Sequence, residues 1–270
     1  MGNLTNKQFE KYTKLIYENF GIHHSNTKKE MVQSKLSKLM RWANIEDYDD
    51  YYDFLLRNSG NENWDLFVNE ITTHKTHFFR EDSHFEYIRS KIDNILKNNP
   101  RILNNNELRI WSAGCSTGEE PYTIAMILKE CLPSYIDVKI LATDISPVVI
   151  EKAQKGIYLL DEEDRVSAYY YHKYFIANEE LSVVVPEIKD LITFRTFNLM
   201  HPFPFQNTFD IIFCRNVMIY FDMPVQEQLI KKFYNILTLG GLLFIGLSES
   251  LTQRQHKFKY VQPTIYSRTD

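Results

Sequence analysis

Residues 108–124 read LRIWSAGCSTGEEPYTI, and this stretch decides the fold class. An apolar strand leads into a glycine turn, two glutamates and a proline, and an apolar helix follows. Gly114 and Gly118 allow the backbone to turn sharply and a ligand to approach it closely. The start of the helix offers N–H groups that have no intrahelical partner. In an open α/β sheet, a nucleotide-like cofactor binds at such a turn.

Strands and helices continue to alternate after this turn. Apolar runs and helical periods predict strands at 108–113, 138–143, 209–214 and 242–247, and helices at 121–131, 146–155 and 224–237. A glycine pair at 240–241 is predicted to form a turn. The alternation predicts an α/β fold with a doubly wound, mostly parallel sheet. Residues 169–197 are β-branched and aromatic without helical period, which predicts a small antiparallel β-subdomain inserted in that domain.

The first part of the chain carries helical patterns only. Residues 1–85 are therefore predicted to form an all-helical N-terminal domain, followed by the sheet domain at 86–270. Thr5 and Gln8 match a capping box, and Gly21 is a typical helix stop. The further predicted elements are helices at 27–43, 47–57, 63–72 and 83–98 and a turn-rich loop at 98–106.

Composition limits the classes of function. The 270 residues carry a net charge of −4 and a pI near 6.1, which argues against nucleic acid as the main partner. The N-terminus has no apolar signal segment and no run is long enough to cross a membrane, so we expect a cytoplasmic protein that is not an integral membrane protein. The three cysteines lack metal-binding spacing and the eight histidines are scattered, so we expect no metal site.

The two glutamates after the glycine turn indicate what kind of cofactor binds. Asp144 ends the next predicted strand, where a carboxylate can accept hydrogen bonds from ribose hydroxyls. Glu119 and Glu120 would repel phosphates and suit a cationic ligand, although acidic residues are also favoured at a helix start. We assign cofactor contact to one glutamate and helix capping to the other. S-adenosylmethionine (SAM) fits, since it carries a ribose, an ammonium and a sulfonium but no phosphate.

Further polar residues follow other strands. The segment CRNVMIYF at 214–221 places Arg215, Asn216 and Tyr220 beyond the carboxyl end of a central strand, where the ligand crevice of this architecture lies. Asn216 could instead cap a helix, but Asn198, which follows another strand, favours the crevice. Arg80, beside two phenylalanines, could be an ordinary surface arginine packed on an aromatic ring.

Taken together, these motifs resemble one family. WSAGCSTGEEPYTIA, ATDIS, FCRNVMIYF, LGGLLFIGLSES and TxFFR, the last at 76–80, all occur in the chemotaxis receptor glutamate O-methyltransferases, the CheR family. The resemblance covers nearly the whole chain. It implies a class I SAM-dependent methyltransferase sheet with an all-helical N-terminal domain and a small antiparallel β-subdomain.

The resemblance also implies roles for single residues. Arg80 and Tyr220 match the catalytic positions. The positions that match cofactor-binding residues are His74, Thr76, Arg80, Gly114, Glu120, Asp144, Asn198, Leu199, Arg215 and Asn216. His74 departs from the family, which commonly has asparagine there, and an imidazole reproduces only part of the hydrogen bonding of an amide.

The function implied by the resemblance is transfer of the SAM methyl group to glutamate side chains of chemotaxis receptors. The products are glutamate methyl esters and S-adenosylhomocysteine. Two alternatives stay open: a SAM-binding sensor or adaptor without catalysis, and a methyltransferase for another protein or a small-molecule carboxylate.

The implied partner is the cytoplasmic helical bundle of the receptors. Lys28, Lys35, Lys38 and Arg41 lie at helical spacing, and we expect this basic face to dock an acidic receptor rather than to be only a solvated surface. Some family members capture a receptor's C-terminal pentapeptide with a glycine-rich β-subdomain. The segment IANEELSVVV has no glycine, so we expect direct access to the substrate instead of tethering.

Overall fold

A helical bundle and an α/β sheet make up the protein. The computed structural model describes residues 2–160, 164–178, 180–206 and 208–270, so Glu179 of the predicted β-subdomain lies outside it. The α-helices of the bundle are α1 (Asn6–Phe20), α2 (Lys29–Ala43), α3 (Tyr48–Arg57) and α4 (Glu62–Ile71), and a short 3₁₀ helix, Asn26–Lys28, precedes α2. No helix in the described ranges is both long and apolar enough to cross a bilayer.

The caps of α1 form as the sequence predicts. Thr5 Oγ1 accepts a hydrogen bond from the Gln8 N–H at 3.2 Å, and the Gln8 side chain accepts one from the Thr5 N–H at 3.1 Å. Gly21 ends the helix with a φ of 71°, a left-handed conformation that glycine adopts without strain. The apolar side chains of the four helices form one buried cluster. Met31, an apolar residue of α2, is 37% exposed.

The main sheet has seven strands in the order β6-β2-β1-β7-β8-β10-β9. Their bounds are β1 (Glu107–Ala113), β2 (Asp137–Asp144), β6 (Ile192–Thr196), β7 (Phe209–Cys214), β8 (Leu237–Ile245), β9 (Lys259–Gln262) and β10 (Ile265–Ser267). The first five strands in that order are parallel, and β10 pairs antiparallel with β8 and β9. This confirms the predicted doubly wound, mostly parallel sheet.

Helices cover the sheet and a small second sheet lies beside it. The helices are α5 (Ser83–Lys97), α6 (Pro100–Asn105), α7 (Glu119–Cys131), α8 (Pro147–Lys155), α9 (Ala168–Tyr174), α10 (Pro186–Lys189) and α11 (Met223–Ile236). The second sheet is antiparallel and consists of β3 (Ile157–Tyr158), β4 (Phe175–Asn178) and β5 (Leu181–Val184), in the order β3-β5-β4.

The predicted β-subdomain at 169–197 is divided in the structure. Its first residues lie in helix α9, and β4 and β5 pair with β3, which precedes the predicted segment. Its last strand, β6, is a parallel edge strand of the main sheet. β-Branched and aromatic residues suit both kinds of strand, so composition alone did not separate them.

Two shorter predictions were also wrong. The loop predicted at 98–106 contains helix α6, because the Asn99 side chain caps it and Pro100 occupies its first position. The turn predicted at Gly240 and Gly241 lies inside β8. Gly240 has a φ of 76°, and a Cβ added there would lie 2.5 Å from the Asn98 carbonyl oxygen.

The close approach at Gly240 predicts that a methyl group added there destabilises the folded protein strongly. We expect Gly240→Ala to lower the free energy of unfolding by about 2–4 kcal/mol, because left-handed strain and a backbone clash add. Gly60→Ala is the matched control, since Gly60 has a φ of 86° and open space around it. It should cost only about 1 kcal/mol. Urea unfolding measures both values, and equal losses would contradict the clash.

Candidate active site

Four strands of the main sheet end at one cavity. Gly114 follows β1, Asp144 ends β2, Asn198 follows β6 and Arg215 follows β7. The carboxyl ends of parallel strands share one edge of the sheet, which is where ligands bind in this architecture. The cavity has a volume of about 390 Å³. Every predicted site residue lines it: His74, Thr76, Arg80, Gly114, Glu120, Asp144, Asn198, Leu199, Arg215, Asn216 and Tyr220.

The glycine turn after β1 places backbone without a side chain at the cavity. Gly114 has a φ of 89°, and a Cβ there would lie 2.3 Å from Val217 Cγ2. The N–H groups of Gly114 and Cys115 donate to the Thr143 carbonyl at 2.8 and 2.9 Å, which ties the turn to β2. No other residue fits at position 114 without displacing the loop that follows β7.

Asp144 is a buried carboxylate whose position is set by backbone N–H groups. Its Oδ2 accepts from the Ser116 N–H at 2.9 Å and its Oδ1 from the Ser146 N–H at 3.1 Å. Burial raises the pKa of Asp144 above its ordinary value, against the opposing effects of His74 and these hydrogen bonds. A carboxylate held this way is prepared to accept hydrogen bonds from a ligand's hydroxyls, because burial leaves it few other partners.

His74 lies in the wall of the cavity beside Asp144. Its Nε2 is 2.6 Å from Thr72 Oγ1, and its carbonyl accepts a hydrogen bond from the Ser116 hydroxyl at 2.8 Å. Burial lowers the pKa of His74, so the ring is neutral at pH 7. The family's usual asparagine contact at this position stays a prediction for His74.

Glu120 is held by two different donors. Its Oε1 accepts from the Ser112 hydroxyl at 2.7 Å, and its Oε2 lies 3.2 Å from Arg215 Nη1. Burial raises the pKa of Glu120, while the Arg215 charge and the Ser112 hydrogen bond oppose the shift. The Arg215 side chain is only 2% exposed and also lies 3.1 Å from Glu81 Oε2.

The other glutamate of the pair takes no part in lining the cavity. Both carboxylate oxygens of Glu119 accept from the Thr117 hydroxyl, at 2.8 and 2.7 Å, at the start of α7. The structure thus places Glu120 at the cavity and Glu119 at the helix start, while cofactor contact by one and helix capping by the other stay predictions. Burial raises the pKa of Glu119 to about 7, because only this hydroxyl and the helix backbone offset its desolvation.

The TxFFR segment forms a turn with unusual backbone angles. Phe79 and Glu81 have φ values of 54° and 58°, a conformation that side chains seldom adopt. The Phe79 N–H donates to Thr123 Oγ1 at 3.2 Å, which fixes the turn to α7. Arg80 Nη1 donates to the Lys75 carbonyl at 3.0 Å and holds its half-buried guanidinium at the cavity. Such strain is typical of functional turns.

The helical bundle supplies one wall of the cavity. The His23 N–H donates to the Tyr220 carbonyl at 3.0 Å, and Asn198 Nδ2 donates to the Asn19 carbonyl at 2.7 Å. Tyr220 lies in a 3₁₀ helix, Met218–Tyr220, and its ring packs on the apolar cluster of the bundle. These contacts join α1 and the segment after it to the sheet edge.

Two family models match the chain. The model for the CheR methyltransferase SAM-binding domain matches residues 74–267, and the model for the CheR methyltransferase all-alpha domain matches residues 7–72. The chain belongs to the CheR methyltransferase family. It is a SAM-dependent methyltransferase by that membership, which agrees with a cavity lined by the carboxylates of Glu120 and Asp144.

Curated relatives of this CheR chain are similar over nearly their whole length. The chemotaxis protein methyltransferase of Borreliella burgdorferi is 41% identical, with 98% of this chain and 95% of the relative covered. That of Salmonella typhimurium is 36% identical, with 98% and 91% covered. Chemotaxis protein methyltransferase 2 of Pseudomonas aeruginosa is 36% identical, with 97% and 93% covered.

The residues of the predicted basic face differ in their surroundings. Lys35 is half-buried, and its Nζ donates to the Ile71 and Thr72 carbonyls at 3.2 and 3.1 Å, at the end of α4. Lys38 Nζ lies 2.7 Å from Glu70 Oε2. Lys28 and Arg41 are exposed. Lys35 therefore joins two helices, and its charge is less available to a partner than the spacing suggested.

Sequence reasoning missed two carboxylates that shape the loop after β7. Glu249 is buried and accepts from the N–H groups of Gly246, Asn216 and Ile219 at 2.6, 3.1 and 3.2 Å. Glu81 accepts from both Arg215 and Asn216. Each lies in or directly after a motif that carried the resemblance, LGGLLFIGLSES or TxFFR. Their position in or next to these motifs was the sequence signal that could have identified them.

The buried Glu119 predicts a pH-dependent gain in stability on neutralisation. Burial destabilises the ionised form of Glu119 in the folded protein. The resulting loss in the free energy of unfolding is absent below about pH 4.5, where the carboxyl is protonated in both states, and complete above about pH 7. We expect Glu119→Gln to raise the free energy of unfolding at pH 8 by on the order of 1–3 kcal/mol, with no difference near pH 4.5. Exposed Glu46→Gln is the control. Denaturant unfolding at several pH values checks this, and a pH-independent difference would contradict it.

Proposed function

We propose that this protein transfers the methyl group of SAM to glutamate side-chain carboxylates of chemotaxis receptors, forming methyl esters. The observation that carries the proposal is that the buried carboxylate of Asp144 and the half-buried carboxylate of Glu120 line the same cavity as Arg80 and Tyr220. The printed names of the relatives, chemotaxis protein methyltransferases, support the receptor substrate.

The residues present fit SAM. Asp144 would accept hydrogen bonds from the ribose hydroxyls, and Glu120 would offset positive charge, while the Gly114 turn leaves room for close approach. Burial raises the pKa values of both carboxylates. When bound, SAM supplies an electrophilic methyl group on a sulfonium leaving group.

The chain does not need a general base for this reaction. A glutamate side chain has an ordinary pKa near 4.3 and is already ionised at pH 7. The task of the protein is to hold that carboxylate in line with the methyl group and to exclude water. Bringing an anion into a closed site is costly without a cationic partner. We assign that partner to Arg80, with Tyr220 orienting a carboxylate oxygen.

The role of Arg80 predicts a selective catalytic loss. We expect Arg80→Ala to lower kcat/KM for receptor methylation by about 10²–10³-fold, because the substrate anion loses its partner. Arg80→Lys should retain part of the activity, because lysine keeps the positive charge but lacks the planar guanidinium that can donate two parallel hydrogen bonds. Exposed Arg57→Ala is the control. Transfer of labelled methyl groups to receptor-bearing membranes, read as base-labile ester, measures the rates.

Two results of that assay would contradict the proposal. Near-normal methyl transfer by Arg80→Ala, with unchanged SAM affinity, would show that Arg80 is not a catalytic residue. SAM binding by the native protein without any ester formation would instead favour a non-catalytic SAM-binding adaptor. Running the assay with receptors that lack their C-terminal residues tests whether tethering is needed, and we expect equal rates.

Docking of the receptor is assigned to the exposed cations of the basic face. Arg41→Glu and Lys28→Glu together should weaken receptor methylation severalfold at low salt and little at high salt, because exposed charges are screened. Exposed Lys97→Glu, on α5 of the sheet domain, is the control for net charge. Rates measured between about 0.01 M and 0.5 M salt test the docking. A loss independent of salt would contradict it.

A further inference from the structure

Glu81 follows Arg80 directly but is not among the residues that line the cavity. Its side chain is 11% exposed and its φ is 58°, so it occupies a strained position at the end of the TxFFR turn. Glu81 takes no part in the proposed binding of substrate or cofactor. A strained, buried, charged residue next to a catalytic arginine requires a physical reason.

The Glu81 carboxylate accepts four hydrogen bonds. Its Oε2 accepts from Arg215 Nε and Nη2 at 3.2 and 3.1 Å, and its Oε1 accepts from Asn216 Nδ2 and the Leu247 N–H, each at 3.2 Å. These donors follow β7 and β8. Glu81 therefore joins the TxFFR turn to two strand ends. Arg215 Nη2 also donates to the Arg80 carbonyl, which strengthens the same connection.

The charges around Arg215 are unequal. One guanidinium, 2% exposed, faces the carboxylates of Glu81 and Glu120, and Phe85 covers it at 5.3 Å. These two carboxylates and the Arg215 cation sum to −1 at short range, where charge interactions are strong, and the Arg80 cation also acts on Glu120. Without Glu81, Arg215 would pair with Glu120 alone, and this group would be neutral overall.

His84 does not change this balance. Its Nδ1 lies 3.7 Å from Glu81 Oε2, and its Nε2 contacts Thr264 Oγ1 at 2.6 Å. Burial, together with the Arg215 charge, lowers the pKa of His84 to about 4, so the ring is neutral at pH 7. Burial alone would raise the pKa of Glu81, but Arg215 and the hydrogen bonds hold it below its ordinary value. Glu81 is thus ionised, and its charge is directed at Arg215.

We infer that Glu81 is a positioning residue that compensates the charge of Arg215, so that Glu120 keeps a net negative charge for the cationic end of the cofactor. This inference rests on the proposed function, because it places SAM in the cavity. Glu81 acts through Arg215 and does not touch the cofactor. Its second effect is to hold the backbone of Arg80 against the sheet.

The test compares a charged ligand with a neutral one. Glu81→Gln keeps the size and an acceptor oxygen for Asn216 but removes the negative charge. We expect SAM to bind it at least about tenfold more weakly, because one carboxylate fewer offsets the cation. Methylthioadenosine, which shares the adenosine part but lacks the charged side chain, should bind within about twofold of the native affinity. Calorimetric titration measures both dissociation constants.

Two further variants separate charge from structure. Glu81→Asp keeps the charge, so the ratio of SAM to methylthioadenosine affinity should stay near the native ratio even if stability falls. Glu249→Gln is the matched control, since Glu249 anchors the same loop without a hydrogen bond to Arg215 among the described residues. It should change both affinities by the same factor.

The outcomes separate this inference from the proposed function. If Glu81→Gln leaves both affinities unchanged, or weakens both equally, Glu81 is only a structural anchor and the inference is wrong, while the proposed function stands. If the native protein binds methylthioadenosine but not SAM, the proposed function itself fails. A selective loss of SAM binding in Glu81→Gln, with the native ratio kept in Glu81→Asp, supports the inference.

Discussion

Arg215 leaves the central strand β7 and places a guanidinium, 2% exposed, between the carboxylates of Glu81 and Glu120. A buried cation is costly unless its hydrogen bonds are satisfied, and here two carboxylates and the Arg80 carbonyl satisfy it. Removal of any one partner would leave an N–H group of this buried guanidinium without its hydrogen bond. The glycine turn, the TxFFR turn and the loop after β7 therefore depend on one another, because each contributes to the surroundings of this guanidinium.

The helical bundle completes the site. Asn19, at the end of α1, accepts a hydrogen bond from Asn198, and the His23 N–H donates to the Tyr220 carbonyl. Lys35 binds the carbonyls at the end of α4, the helix that leads into the TxFFR segment. A change in the packing of the bundle would therefore reach the cavity wall through backbone contacts.

Much of the site could be predicted from the sequence because parallel strands end at one edge. If 108–113 and 209–214 are parallel strands, Gly114 and Arg215 lie at the same edge of the sheet, and the pairing of β1 with β7 brings them close together. The bounds of the predicted β-subdomain were less accurate, since β6, like β4 and β5, contains β-branched or aromatic residues but pairs with the main sheet. Glu81 and Glu249 were missed because a glutamate's burial depends on packing from distant segments, which local patterns do not contain.

The sequence by itself determined the fold class, the family and eleven of the residues that line the cavity, because these depend on periodicity and on motifs that are local in the chain. Only the tertiary structure decided which carboxylates surround Arg215 and which donors hold each of them. Those answers depend on contacts between residues more than 90 positions apart, such as Glu120 with Arg215 and Glu81 with Asn216. Charge balance in a buried site is a property of three-dimensional packing, and no spacing rule along one strand or helix specifies it.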